Sequence, residues 1–108
     1  MILKLLNLLT GKPNCARSPK WPEVRKSHLV VQPKCQVCNG TKDLNVHHIK
    51  PVHLYPHLEL DNNNLITLCE ANQCHFTIGH GRDWKAYNPN VIADANFVND
   101  IIESRKYQ

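Results

Sequence analysis

Two histidines in succession, His47 and His48, lie between a Cys35-x2-Cys38 pair and a Cys69-x4-Cys74-His75 group. Four thiolates can close a tetrahedral zinc site, because Zn2+ prefers such donors, and a closed site leaves no position for water. The histidines inside the enclosed stretch are then free for other work. Consecutive residues of an extended chain project to opposite sides. His47 and His48 can therefore serve two centres, one holding a metal ion and the other facing a water. A histidine with a pKa near neutrality can take a water proton at pH 7, and a divalent cation can neutralise charge building on a phosphate. A cysteine cage around a histidine-rich loop suggests a metal-stapled nuclease rather than a plain zinc finger.

At 108 residues the chain has room for one domain, and a chain this short buries only about two-thirds of its unfolded surface. A metal staple would supply stability that so small a core lacks. The net charge of +4 points mildly toward an anionic partner. Five cysteines, an odd number, with Cys-x2-Cys spacing fit metal binding in a reducing compartment better than a disulfide-bonded secreted domain. The opening run Met1–Leu9 is broken by Lys4 and Asn7 and is not followed by a small-residue cleavage site. It is also well short of the roughly 20 apolar residues that span a bilayer. The expectation is a soluble cytoplasmic protein with no membrane partner.

The chain divides into an N-terminal arm, residues 1–20, and a domain over 21–108. The arm has an apolar start and two breaker clusters, Gly11-Lys12-Pro13-Asn14 and Arg17-Ser18-Pro19-Lys20. Cys15 falls outside the paired spacing and reads as a bystander thiol. Pro22 and Glu23 suit the first turn of a helix, predicted over 22–32 with Val24, His28 and Val31 on one face and Pro33 ending it. Cys35-Gln36-Val37-Cys38-Asn39-Gly40 reads as a knuckle. Leu44, Val46 and Ile49 suggest a strand into the histidine doublet, residues 52–64 a long loop, and Leu65–Leu68 a strand delivering Cys69. Phe76–Gly81 leaves space for one helical turn. Asn88 as cap, Pro89 at the first position and the stripe Val91, Ala95, Val98, Ile102 predict a terminal helix over 89–106.

The motifs Cys35-x2-Cys38, Val46-His47-His48-Ile49-x-Pro51, Asn64-Leu65-Ile66-Thr67-Leu68-Cys69 and Cys74-His75 resemble those of the HNH endonuclease family. Trp21-Pro22 and the Gly79-His80…Trp84 stretch look like small phage-type or bacterial members. The resemblance implies an α+β fold with a small ββα-metal (HNH, His-Me finger) core, stapled by a four-cysteine zinc site and flanked by N- and C-terminal helices. It implies a metal-dependent DNA endonuclease that hydrolyses phosphodiester bonds, with a histidine-activated water attacking a metal-bound phosphate. Carried onto this chain, His47 is a ligand of the catalytic ion, His48 the general base, Asn64 the residue that fixes the loop and orients the base, and His75 a second ligand. The partner implied is DNA, with DNA packaging or other DNA-processing proteins among the possible associates.

Two metals are therefore kept apart. Cys35, Cys38, Cys69 and Cys74 are read as the structural Zn2+ site; His47 and His75 hold the catalytic ion, which can be Mg2+, Mn2+, Ni2+ or Zn2+. His80 competes for a place: on an α-helix it would lie about 140° around the axis from His75, whereas a bend at Gly79 would return it to the ion. Arg25, Lys26, Arg82 and Lys85 are candidate phosphate contacts. His28, His53 and His57 read as packing or surface residues, and Trp84 and Trp21 as core anchors. A non-catalytic zinc module that binds DNA or protein is the rival reading. No long Arg-, Asn- and Gln-rich recognition helix announces base readout.

Overall fold

The computed structural model describes residues 17–106; the apolar opening stretch and Cys15 lie outside the described residues. The first helix, α1, spans Trp21–Val31, with Pro22 and Glu23 in its first turn. Proline has no N–H to lose there, and the carboxylate sits at the positive end of the helix dipole. The helix stops two residues before Pro33, as a proline disfavours helical backbone in the residue before it.

Its inward face is not the expected one. Val24 and Leu29 are partly buried and His28 is buried, but Val30 and Val31 stand 76% and 82% exposed. The reason lies in Gln32. His28 Nε2 is 3.0 Å from Gln32 Oε1. Gln32 Oε1 also accepts the Thr67 backbone N–H at 2.7 Å, and the Gln32 carbonyl accepts from the Thr67 hydroxyl at 2.8 Å. The face running Trp21, Val24, Arg25, His28, Leu29, Gln32 is thus turned inward by polar bonds as much as by apolar contact.

Those bonds matter because Thr67 lies in a strand with only one partner strand among the described residues. β1 (Leu44–His48) and β2 (Leu65–Cys69) form a two-stranded antiparallel sheet in the register Leu44↔Cys69 to His48↔Leu65. Every residue of β2 is buried, so its outer edge needs partners other than water. Gln32 supplies one, and the Gln36 N–H, 3.0 Å from the Thr67 carbonyl, supplies another. Ile49 lies beyond the end of β1, its N–H bonded to the Asn64 carbonyl.

The connection between the strands contains two short 3-10 turns, Pro56–Leu58 and Asn62–Asn64. After β2 the chain makes a π-helical turn, His75–Gly79, closed by His80 N–H to His75 O at 3.0 Å. The last helix, α2, spans Val91–Arg105. The expected Asn88 cap and Pro89 start are both displaced: Asn90 precedes the first helical residue, and no side chain caps it. Asn88 is a latch instead. Its Nδ2 donates to the Ile78 carbonyl at 2.9 Å and to Asp94 at 2.7 Å, and its N–H to Gly79 O at 3.1 Å.

The core is made of Cys35, Val37, Ile66, Leu68, Cys69, Cys74, Val91 and Ala95. The apolar stripe of α2 meets it, with Val91 and Ala95 fully buried and Val98 packed at its edge. Asn99 Nδ2 fastens α2 to the cysteine knuckle by donating to Val37 O at 2.9 Å and Asn39 Oδ1 at 3.0 Å. Among the described residues no helix is long and apolar enough to cross a membrane.

Gln32→Ala is expected to lower stability by about 1–3 kcal/mol, since it leaves the buried Thr67 N–H without an acceptor. Denaturant unfolding measures the loss, and a value near zero would show that the clasp on β2 is dispensable.

Candidate functional site

The hairpin and the knuckles bring four sulfurs together. Cys35, Cys38, Cys69 and Cys74 each offer an Sγ, all within 4.8 Å of one another, and none is in a disulfide. Cys38 and Cys69 approach to 3.6 Å. Four thiolates around a zinc ion are spaced by roughly 3.8 Å, given Zn–S near 2.3 Å and tetrahedral angles, so the donor set fits that metal. The knuckle is closed by Cys35 N–H to Gly40 O at 2.8 Å, with Asn39 in the left-handed region at φ 66°.

Burial pushes the Cys35 and Cys74 thiols up. Burial raises Cys38 too, but hydrogen bonds from the Asn72 amide, the Gly40 backbone and the neighbouring thiols outweigh it and bring Cys38 to about 7. The Asn72 Nδ2 lies 3.4 Å from Cys38 Sγ, and its backbone N–H 3.4 Å from Cys69 Sγ. Such donors favour thiolates, and a cation would release the remaining protons.

The second cluster is built from imidazoles. His47, His75 and His80 each offer a nitrogen within 4.8 Å of the others. Their ring centroids form a near-equilateral triangle with edges of 5.0, 4.9 and 4.8 Å. The π-helical turn makes this possible. An α-helix would set His75 and His80 about 140° apart, but a turn closed by an i→i+5 bond brings them to one face. Both imidazoles thereby reach the cluster with His47.

Hydrogen bonds select the free nitrogen on two of the rings. His75 Nδ1 is 2.6 Å from Glu70 Oε1, and His80 Nδ1 is 2.7 Å from the Ala86 carbonyl. Carboxylate and carbonyl oxygens only accept, so both Nδ1 atoms carry protons and each neutral ring keeps its lone pair on Nε2. His75 Nε2 faces His47 Nδ1 at 3.1 Å. A carboxylate–histidine arrangement of this kind is how protein metal ligands are oriented.

His47 Nε2 is buried with no hydrogen-bond partner. Burial, then the facing His75 and His80, hold the His47 pKa down to about 3. The ring is neutral at ordinary pH and available as a ligand. Nitrogen donors at this spacing fit a divalent transition ion better than Mg2+.

His48 points the other way. Its Nε2 donates to the Glu59 carbonyl at 2.9 Å, so Nδ1 holds the lone pair. Trp21 stacks on it with ring centroids 4.6 Å apart, and the Arg17 guanidinium lies 5.8 Å from the Trp21 ring centre. Burial lowers the His48 pKa, against the pull of the Glu59 carbonyl. Glu59 also accepts the Ser18 N–H at 2.8 Å through Oε2, tying the entry of α1 to the loop beneath His48.

Asn64 is buried and clamps the two ends of that loop. Its Oδ1 accepts from Lys50 N–H at 2.8 Å, and its Nδ2 donates to Lys50 O at 3.0 Å and Leu58 O at 3.3 Å.

Both histidine centres open onto one cleft of about 760 Å3, whose wall includes Arg17, Arg25, His53, Trp84, Lys85 and Tyr87. Of the expected basic contacts Arg25 and Lys85 line it, whereas Lys26 and Arg82 do not. His28 is buried, and His53 and His57 are exposed. Trp84 is not a core residue. It is 55% exposed and lies across His75, His80 and Phe76, with ring centroids 5.3, 4.9 and 5.0 Å away. Trp21 is half-buried against His48.

Sequence reasoning missed Glu59, Glu70 and the Ala86 carbonyl. Glu70 had a signal in its position, one residue from a thiol ligand and five from His75. The carbonyls had none.

Residues 35–81 match the family model described as HNH endonuclease. No curated protein and no solved structure matches the chain at a significant level. The matched stretch holds both cysteine pairs, the doublet, Asn64 and the His75–His80 turn. With its two antiparallel strands, following turn and cysteine cluster, the fold is that of a small ββα-metal protein. That match supports a nuclease-type function that uses metal ions, with DNA as the implied substrate class.

Gly79 lies against both the core and the second cluster. A Cβ there would meet Leu68 Cδ1 at 3.0 Å, His75 Cδ2 at 3.2 Å and His47 Cε1 at 3.3 Å. Gly79→Ala is expected to cost about 1–3 kcal/mol through overpacking and to weaken binding of a divalent ion at the three histidines. Thermal unfolding and an ion titration check the two effects, and an unchanged affinity would show that the His47 ring position is not critical.

Proposed function

We infer that the protein is a metal-dependent DNA endonuclease that hydrolyses phosphodiester bonds, His48 acting as general base and His47, His75 and His80 holding the catalytic divalent ion. The observation that carries this reading is the division of the doublet. His47 turns into a three-histidine cluster, while His48 turns out of it with Nε2 occupied by a carbonyl, yet both line one basic cleft.

The roles follow from donor chemistry. Glu59 holds the His48 ring with the Nδ1 lone pair available, so a water in the cleft can pass its proton there as it attacks phosphorus. Asn64 holds the loop that carries the Glu59 carbonyl, and through it the orientation of His48. Arg17, Arg25 and Lys85 offer positive charge to the phosphodiester backbone. Attack breaks the bond to the 3′ oxygen, leaving a 5′-phosphate and a 3′-hydroxyl. A bound divalent ion supplies charge neutralisation on the phosphate and stabilises the departing oxygen.

The cysteine cage is assigned a structural Zn2+, distinct from the catalytic ion. Four sulfur donors close a tetrahedron and leave no open position for a substrate. Oxygen ligands in that set would argue for catalysis; it has none.

Supercoiled plasmid incubated with the protein and a series of divalent ions is expected to be nicked or cut, and EDTA to stop it. His48→Ala is expected to lower the rate by about 100-fold or more with zinc content and fold retained. Cleavage by that variant at the wild-type rate would overturn the assignment of the base. Metal analysis is expected to find a tightly held zinc plus a weaker second ion, the second lost in His47→Ala. A single metal per chain in both proteins would favour a zinc module without nuclease activity.

A further inference from the structure

Glu70 lies in the stretch Glu70-Ala71-Asn72-Gln73, which in the sequence reads as a mere lengthening of the second cysteine knuckle. In the structure its backbone is tied on both sides. Its N–H donates to Asp43 O at 2.8 Å, and its carbonyl accepts the Gln73 N–H at 3.0 Å. Gln73 adopts φ 59°, in the left-handed region, and turns the chain so that Cys74 rejoins the cage and His75 follows. From this fixed base the Glu70 side chain reaches His75, Oε1 to Nδ1 at 2.6 Å.

We propose that Glu70 is a positioning residue for the catalytic ion: anchored beside Cys69 of the cage, it fixes the tautomer and ring plane of His75 and so sets the affinity of the three-histidine site for a divalent cation. The inference rests on the nuclease reading for the purpose of that ion, though the affinity is measurable without DNA.

What Glu70 controls is the placement of a proton. An imidazole has two tautomers of similar energy, and the hydrogen bond at one nitrogen decides which lone pair the other presents. With Glu70 accepting from Nδ1, His75 presents Nε2 toward His47 Nδ1 across 3.1 Å. Without it, the tautomer protonated on Nε2 becomes accessible. That N–H would donate to His47 Nδ1 and fill the gap with a hydrogen bond where a cation would otherwise sit. The carboxylate also makes the ring a stronger donor. His80, whose Nδ1 meets only the neutral Ala86 carbonyl, lacks that second effect. One turn therefore supplies two thiols to the cage, an imidazole to the ion and the carboxylate that orients that imidazole.

Stability and affinity should separate in the test. The Glu70 side chain is 43% exposed, and a half-exposed pair of this kind contributes little to folding. Glu70→Ala and Glu70→Gln, with zinc left in the cage, are titrated with Ni2+ and with Mn2+ in the absence of DNA, beside His47→Ala. Glu70→Ala is expected to bind the ion about 10- to 100-fold more weakly, in the range set by outer partners of metal ligands. Glu70→Gln, which keeps an acceptor oxygen and loses the charge, should fall between it and wild type. Zinc content and melting temperature should not change. Wild-type affinity in Glu70→Ala, with the ion lost in His47→Ala, would overturn the role of Glu70 alone. Unchanged affinity in His47→Ala would overturn the three-histidine site itself. Loss of zinc together with the second ion in Glu70→Ala would point to a scaffold role and overturn the proposal.

Discussion

The convergence of four cysteine sulfurs is the constraint on which the rest of this fold depends. Three of the four, Cys35, Cys69 and Cys74, are among the most buried of the described residues, and the core is assembled around them. Ile66, Leu68, Val91 and Ala95 add only a modest apolar mass, too little for a domain of this size to rely on. The cage joins a knuckle before the hairpin to the end of the hairpin itself. α2 then closes over it through Val91, Ala95 and the Asn99 bonds to the first knuckle. A cation there would tie segments distant in sequence with a strength that few apolar contacts match.

From the cage the geometry of the second centre follows by short covalent steps. Cys69 is followed by Glu70 and Cys74 by His75, so the residues that fix the cage also aim the imidazole. β1 delivers His47 from the opposite strand, in register with Ile66. Gly79 then lets the π-helical turn press close against Leu68 and His47, where a Cβ would force its neighbours to give way by a few tenths of an ångström. The same alternation of side chains that sends His47 inward sends His48 to the other side, against Trp21 and the Glu59 carbonyl. The doublet thus places its two imidazoles in different surroundings, separated by the pleat.

Much of this was legible in the residues. Thiol spacing announced the cage, Pro22 and Pro33 bracketed α1, and the Val91–Ala95–Val98 stripe announced α2, because each rests on local chemistry or a simple period. What was hidden depends on non-local polar bonds or on backbone geometry. Val31 fits a helical period but is exposed, since Gln32 and His28 turn the helix toward the edge of β2. Asn88-Pro89 has the appearance of a helix start, yet Asn88 is used to tie the π-helical turn to Asp94. The relation of His75 to His80 could not be had from spacing, because five residues put two side chains on one face only if the turn is closed by an i→i+5 bond. Trp84 read as core because it is large and apolar, but it covers the imidazoles from the solvent side. Backbone carbonyls such as those of Glu59 and Ala86 carry no signature in any sequence.

The central claim is that the chain holds two metals in separate places and that His48 binds neither. Crystals grown with zinc and then soaked in Mn2+ or Ni2+ test it most directly, through anomalous scattering collected at the absorption edge of each metal. The expected result is a zinc peak among the four sulfurs and a second peak bounded by His47, His75 and His80, with none within bonding distance of His48. A single peak shared by cysteine and histidine, or a second ion ligated by His48, would contradict it.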